Sequence, residues 1–271
     1  MERIKRNLFY SGAFVVLCYH FYSHALISQL SRPLAPVLVF PSIDLSYQLF
    51  LASGLFHAIV HGSVLPVLHD ILLLSLPLLI MLLPERPLLR VVFFVLCVFY
   101  HLSFNTIAGH HFHGFIGIVF LAGVCCFEGK RFIFLWEAAR YYLLFIFVSA
   151  ALWKIWRGNI FNPNHMLHIL QSQHAQFFFE QPSSLHSRFL SWLMGKPVLT
   201  RLVLFSGVLL QLSFLYGFFS RNKDYLLLAG AIAFVSFNYL IMRIVSFELL
   251  ILGITLLPDN LFSRSKLSFK S

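Results

Sequence analysis

Charge is what this sequence has least of. Only 11% of its 271 residues are charged, and 20 lysines and arginines face 10 aspartates and glutamates. A soluble domain of this size carries about 25% charged residues, so the composition excludes an ordinary soluble domain. The basic residues are scattered through short loops, which argues against a nucleic-acid partner and predicts basic cytoplasmic loops.

Redox cysteine motifs are also missing. The four cysteines, Cys18, Cys97, Cys125 and Cys126, all lie in apolar segments, and no Cys-x-x-Cys is present. This usage argues against a disulfide framework and against a membrane thiol oxidoreductase. The basic start, MERIKR, is followed by a long apolar run without a small-residue cleavage site. We therefore expect that run to remain as a membrane span.

Long apolar runs dominate the chain, which is 59% hydrophobic with a mean hydropathy of +0.82. About 20 apolar residues cross a bilayer as a helix, and Tyr225–Leu257 is long enough for two spans divided near Met242–Arg243. The sequence thus predicts an all-α, polytopic transmembrane bundle of about eight spans, with residues 1–271 as one membrane domain. The other predicted spans are Leu8–Leu30, Val64–Leu83, Leu88–Phe104, Phe112–Phe127, Ile133–Trp153 and Val198–Phe219.

Basic residues set the predicted orientation, because lysine and arginine concentrate at the cytoplasmic ends of spans. The basic residues fall on one side of the membrane if Ser46–His61 lies in the interface or re-enters instead of crossing. They are found at the start, in the turns near residues 86, 130 and 221, and in the tail. We expect both termini in the cytoplasm and, for a bacterial protein, the inner membrane. Residues 159–196 are too polar to span and too aromatic for a free linker. They predict a folded interfacial segment on the extracytoplasmic side.

Histidine is frequent and, in this topology, one-sided. All thirteen histidines fall in the membrane interior or its outer half, and none falls in a cytoplasmic loop. The arrangement predicts a polar, histidine-rich cavity that opens outward. A structural role, in which the histidines hydrogen-bond one another and the backbone, explains the same pattern.

Several histidines have spacings that suit a metal. His57 and His61 are four residues apart on one helical face, and His110, His111 and His113 offer three imidazoles within four residues. The pattern resembles the histidine boxes of membrane desaturases and hydroxylases. The metal-dependent oxygenase that this implies is an alternative function. Extracytoplasmic carboxylates are scarce, so we expect no bound metal.

Two cations follow an uncharged apolar stretch at the end of a predicted span. Tyr141–Ala151 carries no charge, and Lys154 and Arg157 follow it beside Trp153 and Trp156. A lysine there can snorkel to the membrane surface, with the tryptophans as interfacial anchors. Held in a partly dry site instead, a lysine can lose its proton and act as a base. The local sequence leaves both interpretations open.

Two segments resemble a known membrane family. HLSFNTIAGHHFHGFIGIVF (101–120) and RYYLLFIFVSAALWKIWRGNIF (140–161) look like the membrane core of the vitamin K-dependent gamma-carboxylase-like superfamily, also called the HTTM (horizontally transferred transmembrane) proteins. In that family one helix opens with a polar Asn/His segment. A later helix of the pattern Y-F-x-A-G-x-x-K-x-x-x-x-W ends in a lysine on the lumenal or periplasmic side. Tyr142–Lys154 fits this helix, and Asn238 stands where the family often has a histidine.

The resemblance implies roles for particular residues. In the carboxylase the corresponding lysine is the proposed base that deprotonates vitamin K hydroquinone. Oxygen then turns the quinone into a base strong enough to remove a proton from glutamate. Carried over, Lys154 is the catalytic base, and His110 or His111 lies near the quinone oxygens. The residues expected to bind the substrate are Asn105, His113, Trp153, Arg157 and Arg243.

The sequence therefore predicts a membrane-embedded enzyme that depends on a quinone, a hydroquinone or another lipid-soluble molecule and acts on the extracytoplasmic side. A second interpretation is a non-catalytic membrane subunit that binds a partner protein, membrane-bound or secreted, or a lipid. Arg243, at the predicted outer turn, fits either a binding role or a plain hairpin cap.

Overall fold

The structure is a computed structural model of the chain and describes residues 1–30, 45–55, 58, 62, 64–108, 115–244 and 246–258. Every regular element within these residues is helical, which confirms the all-α class. The helices are α1 (Glu2–Tyr22), α2 (Ile27–Leu30), α3 (Leu45–Ala52), α4 (Leu65–Leu82), α5 (Pro87–Ala108), α6 (Ile116–Cys125), α7 (Gly129–Trp156), α8 (His165–Glu180), α9 (Leu185–Met194), α10 (Pro197–Ser213), α11 (Asp224–Met242) and α12 (Phe247–Gly253). Short 3-10 turns follow α10 at Phe214–Phe218 and α12 at Ile254–Leu256.

Six of the described helical segments are long and apolar enough to cross a membrane, as in a multi-pass integral membrane protein. The sequence predicts eight spans, and the two remaining ones correspond to shorter helices. α6 has 10 residues and α12 has 7, or about 15 and 10 Å of helix, against a hydrocarbon core of about 30 Å. The six segments are Glu2–Leu30, Leu65–Leu82, Pro87–Phe104, Gly129–Trp156, Pro197–Phe218 and Asp224–Met242.

The chain divides into two compact units, and the boundary falls within α7. Unit 1 contains Met1–Ala139 and Ser246–Thr255, and unit 2 contains Arg140–Val245 and Leu256–Pro258. In unit 1, α4 packs against α1 and α5, and α6 packs against α5 and α12. The rings of Phe9, Tyr10 and Phe93 lie 5.0 to 6.5 Å apart in its core, a spacing at which aromatic pairs stabilise packing beyond simple burial.

Basic residues tie several turns together at one end of unit 1. Arg6 donates a hydrogen bond to the Phe127 carbonyl at 2.6 Å, and Arg90 donates to Glu128 at 2.8 Å and to the Pro84 carbonyl at 2.9 Å. Because the Arg90 guanidinium donates to its carboxylate, the pKa of Glu128 is held below its usual value. These contacts join the start of α1, the α4–α5 connection and the α6–α7 connection, which the sequence predicts on one side of the membrane.

Unit 2 is fastened at one end by a buried ion pair. Arg140 in α7 donates from Nε and Nη2 to the two carboxylate oxygens of Asp224 at 2.8 and 2.7 Å. Its Nη2 also donates to the Gly217 carbonyl at 2.8 Å. Arg140 is only 1% exposed. The pair therefore joins α7 to the start of α11 and to the 3-10 turn after α10.

Residues 159–196 are folded, as the sequence predicts, and form α8 and α9. Ser184 caps α9, since its Oγ accepts a hydrogen bond from the Ser187 amide at 3.1 Å. Both helices pack on α10, and α8 also packs on α11. The apolar cluster that joins them consists of Met166, Leu170, Leu190, Leu193 and Ile241. The place of this segment relative to a membrane stays a prediction.

Candidate functional site

Lys154 lies in the last turn of α7, and its side chain is held inside unit 2. Its Nζ donates a hydrogen bond to Oε1 of Gln211 in α10 at 2.8 Å and lies 6.0 Å from the ring centroid of Phe234 in α11. Gln211 is only 3% exposed. The amine is thus positioned by a buried amide, between three helices.

The Lys154 side chain meets Gln211 between α7 and α10. The two helices run antiparallel here, because Phe147 stacks on Phe214 at 4.0 Å and Lys154 contacts Gln211. In an antiparallel pair the two side chains lean towards each other along the helix axes, since helical side chains lean towards the N-terminus. A snorkelling lysine would extend beyond the helix end to the membrane surface, whereas this half-buried lysine donates to an amide that is 3% exposed.

A cavity of about 300 Å³ lies beside the Lys154 amine; we call it the Lys154 cavity. Its polar lining residues, among those described, are Lys154, Ser206 and Asn238. Leu210 and Val203 in its wall are seven residues apart on α10, so the cavity extends about 10 Å along that helix. The amine lies at the Leu210 end, since its partner Gln211 is the next residue. The remaining lining residues are Met166, Ile169, Leu204, Gly207, Ala233, Phe234, Phe237, Ile241 and Met242.

The wall of the Lys154 cavity contains a glycine that faces open space. A Cβ built at Gly207 would meet no other atom within 4 Å, so the α10 backbone itself borders the cavity. Ser206 already donates from Oγ to the Val203 carbonyl at 2.9 Å, a common bond for a serine within a helix. Lys154 and Asn238 are therefore the polar groups that a molecule in the described part of the cavity would meet.

A second, wider cavity of about 770 Å³ lies between α9 and α11. We call it the surface groove, because Leu185, Phe189 and Leu240 in its lining are exposed. Its lining residues are Leu185, His186, Arg188, Phe189, Phe237, Leu240 and Ile241. Phe237 and Ile241 line both the surface groove and the Lys154 cavity.

Two histidines and an arginine lie next to the surface groove. His174 donates from Nε2 to the Ile241 carbonyl at 2.7 Å, and the rings of His174 and His186 are 6.1 Å apart. The Arg243 guanidinium lies 4.0 Å from the ring centroid of Phe177. Partial burial, together with the positive charge of Arg243, lowers the pKa of His186. We therefore expect His186 to be neutral at pH 7.

In unit 1 the described buried histidines have structural partners. Nδ1 of His20 lies 2.6 Å from the Tyr100 hydroxyl, which donates to the Ala25 carbonyl at 2.9 Å. Nδ1 of His69 lies 3.0 Å from Oδ1 of Asp70. These contacts match the structural role that the sequence left open for its histidines.

The remaining predicted binding residues do not line the Lys154 cavity where the structure describes them. Trp153 is 55% exposed, and the Arg157 guanidinium lies 4.5 Å from its ring centroid. Arg243 ends α11 in the left-handed conformation with φ of 52°, which fits a hairpin cap. The side chain of Asn105 lies outside the described residues, as do the three histidines predicted beside it, His110, His111 and His113.

The metal-site alternative rests on the same part of the chain. His57, His61, His110, His111 and His113 lie outside the described residues, so the metal site stays a prediction. Among the described residues, no group of three or more histidine, cysteine, aspartate or glutamate side chains is arranged to hold a metal. The predicted histidine-rich cavity stays a prediction for the same reason. Of the two cavities described above, the surface groove contains one histidine, His186, and the Lys154 cavity contains none among its described lining residues.

Sequence analysis did not single out Gln211, although its signal is present. Gln211 carries the one side-chain amide in the apolar run 202–219, and Asn238 carries the one in 225–242. A polar residue within a membrane span needs a partner or a cavity. Searching the spans for lone amides would have found both.

The Lys154 cavity combines one amine and one amide with largely apolar walls. Binding sites for small molecules have this character, in which apolar walls supply contact area and a few polar groups fix orientation. The amine can donate hydrogen bonds to an oxygen of such a molecule or, when neutral, accept its proton. No family model, no curated protein and no solved structure matches the chain.

Proposed function

We propose that the protein is an integral membrane enzyme that binds a lipid-soluble hydroquinone in the Lys154 cavity and uses Lys154 as the base that accepts its hydroxyl proton. The observation that carries the proposal is the contact of the Lys154 amine with a buried amide. A cation that served only as an interfacial anchor would point outward, yet this amine is bonded to buried Gln211 beside an apolar cavity.

Gln211 orients the base. Its Oε1 accepts one hydrogen of the Lys154 amine at 2.8 Å, and a neutral amine bonded in this way keeps its lone pair for a second partner. When Lys154 accepts the hydroxyl proton, the O–H bond breaks, an N–H bond forms and the ammonium keeps Gln211 as its acceptor. Asn238 presents a second amide to the cavity, where it can donate to an oxygen or accept from a hydroxyl.

The shape of the cavity supports a ring-headed ligand. Its apolar walls include Phe234 and Phe237, and aromatic side chains pack well on a flat ring. A hydroquinone supplies an acidic hydroxyl and a reversible oxidation when it is bound. Lys154 and Asn238 are the described residues that would hold its oxygens, and Gln211 would orient Lys154.

The first test is binding by the full-length chain in lipid nanodiscs, with decyl-substituted 1,4-benzohydroquinone as the probe. Lys154→Met keeps a long apolar side chain but removes the amine, and we expect affinity to fall about tenfold, the effect of losing one buried hydrogen bond. Lys196→Met is the matched control. Lys196 is exposed, its amine lies 4.5 Å from the Trp192 ring, and it does not line the cavity.

A second variant tests the cavity without touching the amine. Gly207→Leu places a side chain where a Cβ meets open space, so we expect the chain to fold and to lose the probe. An unchanged affinity in both Lys154→Met and Gly207→Leu, with Lys196→Met also unchanged, would contradict the proposal.

Proton transfer needs its own readout. A decyl-substituted nitrophenol changes colour on losing its proton, so absorbance reports whether the bound hydroxyl is ionised. At a fixed pH below the free probe's own transition, we expect wild type to bind the coloured anion and Lys154→Met to bind only the colourless phenol. A colourless phenol bound to wild type across the pH range would rule out the base role.

A further inference from the structure

The Lys154 cavity and the surface groove are neighbours with a shared wall. Phe237 and Ile241 line both of them, and the two residues are four apart on α11. Residues with this spacing lie one above the other on the same helical face. These two side chains therefore lie between the Lys154 cavity and the surface groove, where Leu185, Arg188, Phe189 and Leu240 are exposed.

We propose that the surface groove holds the apolar tail of the same molecule whose oxygen-bearing head contacts Lys154, and that Phe237 is the gate between the two spaces. This inference rests on the proposed function, and it adds the class of ligand, a head with one long apolar tail, and a lateral route into the site. The route runs between α9 and α11, from the surface of unit 2.

The volumes of the two spaces support one molecule divided between them. The Lys154 cavity, about 300 Å³, is at the small end of ligand pockets, which measure about 300–1,000 Å³, and holds a ring but no long chain. The surface groove measures about 770 Å³. Its walls are mainly Leu185, Phe189, Leu240 and the shared Phe237, which suit a hydrocarbon chain rather than a polar head.

Phe237 has the mobility that a gate needs. It is 41% exposed, so one side of its ring is not packed, and side chains in exposed positions change rotamer on the ps–ns timescale. Ile241 is different, because it is 3% exposed and lies in the apolar cluster that joins α8 and α9 to α11. A rotation of Phe237 alone would therefore connect the two spaces without disturbing that cluster.

Arg188 and His186 line the surface groove too, and they suggest a competing occupant. Arginine is a good partner for a phosphate, so an ordinary membrane phospholipid could lie in the groove with its head at Arg188. The shared wall favours the tail of the Lys154 ligand instead. A phospholipid with its head at Arg188 would make no contact with the Lys154 amine, so the position of the groove beside the Lys154 cavity would have no role in its binding. The test below separates the two occupants.

The test maps the tail by photocrosslinking. The probe is a decyl-substituted 1,4-benzohydroquinone with a diazirine at the end of its tail, added to the full-length chain in nanodiscs and located by peptide mass spectrometry. We expect crosslinks in residues 185–189 and at Leu240, competed by the same hydroquinone without the diazirine. With the probe kept below its wild-type dissociation constant, Lys154→Met should lower these crosslinks about tenfold, because the amine anchors the head.

Phe237→Trp tests the gate, and Phe205→Trp is the matched control, since Phe205 is exposed on α10 and lines neither cavity. We expect Phe237→Trp to lower groove crosslinking about tenfold, one hydrogen-bond-sized loss of free energy. Leu240 lines the groove alone, so Leu240→Phe should lower groove crosslinking as well but leave binding of tail-less methylhydroquinone unchanged.

Failure of this inference can be told apart from failure of the proposed function. Groove crosslinks of unchanged strength in Lys154→Met would assign the groove to independent lipid and overturn the inference. Crosslinks confined to the exposed face of α10, at Leu202 or Leu209, would also overturn it, even where Lys154→Met lowers binding as expected and the proposed function stands. Unchanged binding of the tail-less probe in Lys154→Met would refute the proposed function itself.

Discussion

The buried pair Arg140–Asp224 gives the sharpest prediction about stability. Two parallel hydrogen bonds join the guanidinium to the carboxylate at 2.8 and 2.7 Å, and a third reaches the Gly217 carbonyl at 2.8 Å. The side chains are 1% and 9% exposed. Removing one partner of such a pair leaves the other charge buried and uncompensated, which costs about 3–5 kcal/mol.

We therefore expect Asp224→Leu to lower the free energy of unfolding by about 3–5 kcal/mol. The double variant, Arg140→Met with Asp224→Leu, should lose only about 1–2 kcal/mol, because no charge stays buried and only the Gly217 carbonyl lacks its donor. The double variant is thus expected to be more stable than Asp224→Leu alone. Arg140→Lys should also destabilise, since an ammonium cannot reproduce the planar fork.

The measurement is equilibrium unfolding of the purified chain in mixed detergent micelles, followed by circular dichroism. Lys223→Met is the control: it removes an exposed cation at the same end of α11, and we expect a change within about 0.5 kcal/mol. If Asp224→Leu is as stable as Lys223→Met, or if the double variant is the least stable of all, the pair does not hold unit 2 together as argued.

Two further predictions concern unit 2. Gly217→Ala should lower the free energy of unfolding by about 1–3 kcal/mol, because a Cβ there would lie 2.7 Å from Leu144 Cδ2 and 2.8 Å from Leu227 Cδ1. Gly207→Ala is the control: its Cβ would meet no atom, so the free energy of unfolding should rise by up to about 1 kcal/mol. For His186, the lowered pKa means that the unfolded chain binds a proton more readily than the folded one, so the free energy of unfolding should decrease as pH falls below about 6.5. His186→Gln should flatten that slope, and equal slopes in variant and wild type would contradict the assigned burial.

The six long helices were predictable because apolar length alone defines them. The predicted spans at Val198–Phe219 and Ile133–Trp153 correspond to segments of spanning length in the structure. Within Phe112–Phe127 the described helix is Ile116–Cys125, and residues 112–114 lie outside the described residues. In the second half of Tyr225–Leu257 the described α-helix is Phe247–Gly253. Both are shorter than a span, and hydropathy does not reveal where a helix begins or ends, so the count of eight spans stays a prediction. The division at Met242–Arg243 is correct, since α11 ends at Met242.

The candidate site was predictable only in part. The uncharged stretch Tyr141–Ala151 followed by Lys154 drew attention to this lysine, but the direction of its side chain depends on Gln211, which is 57 residues away in the chain. Such a contact follows from the packing of α7 against α10, and no local pattern carries it. The surface groove was not predictable at all, because its lining comes from the exposed face of α9 and the end of α11.

Cations lie at both ends of α7, and their contacts differ. Near its start, in unit 1, the cations bond to polar groups: Arg6 donates to the Phe127 carbonyl, and Arg90 donates to the Pro84 carbonyl and to Glu128. At the Lys154 end of unit 2, cations lie over aromatic rings, with Arg157 4.5 Å from Trp153 and Lys196 4.5 Å from Trp192. Cations and aromatic rings gather in this way at membrane interfaces on either side. The number of basic residues at each end of unit 2 therefore does not determine which end faces the cytoplasm. The charges that flank the first helix usually determine the orientation of the whole chain in the membrane.

Cysteine labelling distinguishes the two orientations. Asn162 lies between α7 and α8, Asn222 lies just before α11, and both are exposed. In a background without the native cysteines, we expect a membrane-impermeant maleimide to label Asn162→Cys in intact cells and Asn222→Cys only after permeabilisation. The reverse pattern would make the cations of unit 2 the topological signal. The Lys154 cavity would then take its ligand from the cytoplasmic leaflet, because the amine and the surface groove lie at the same end of unit 2 as residue 162.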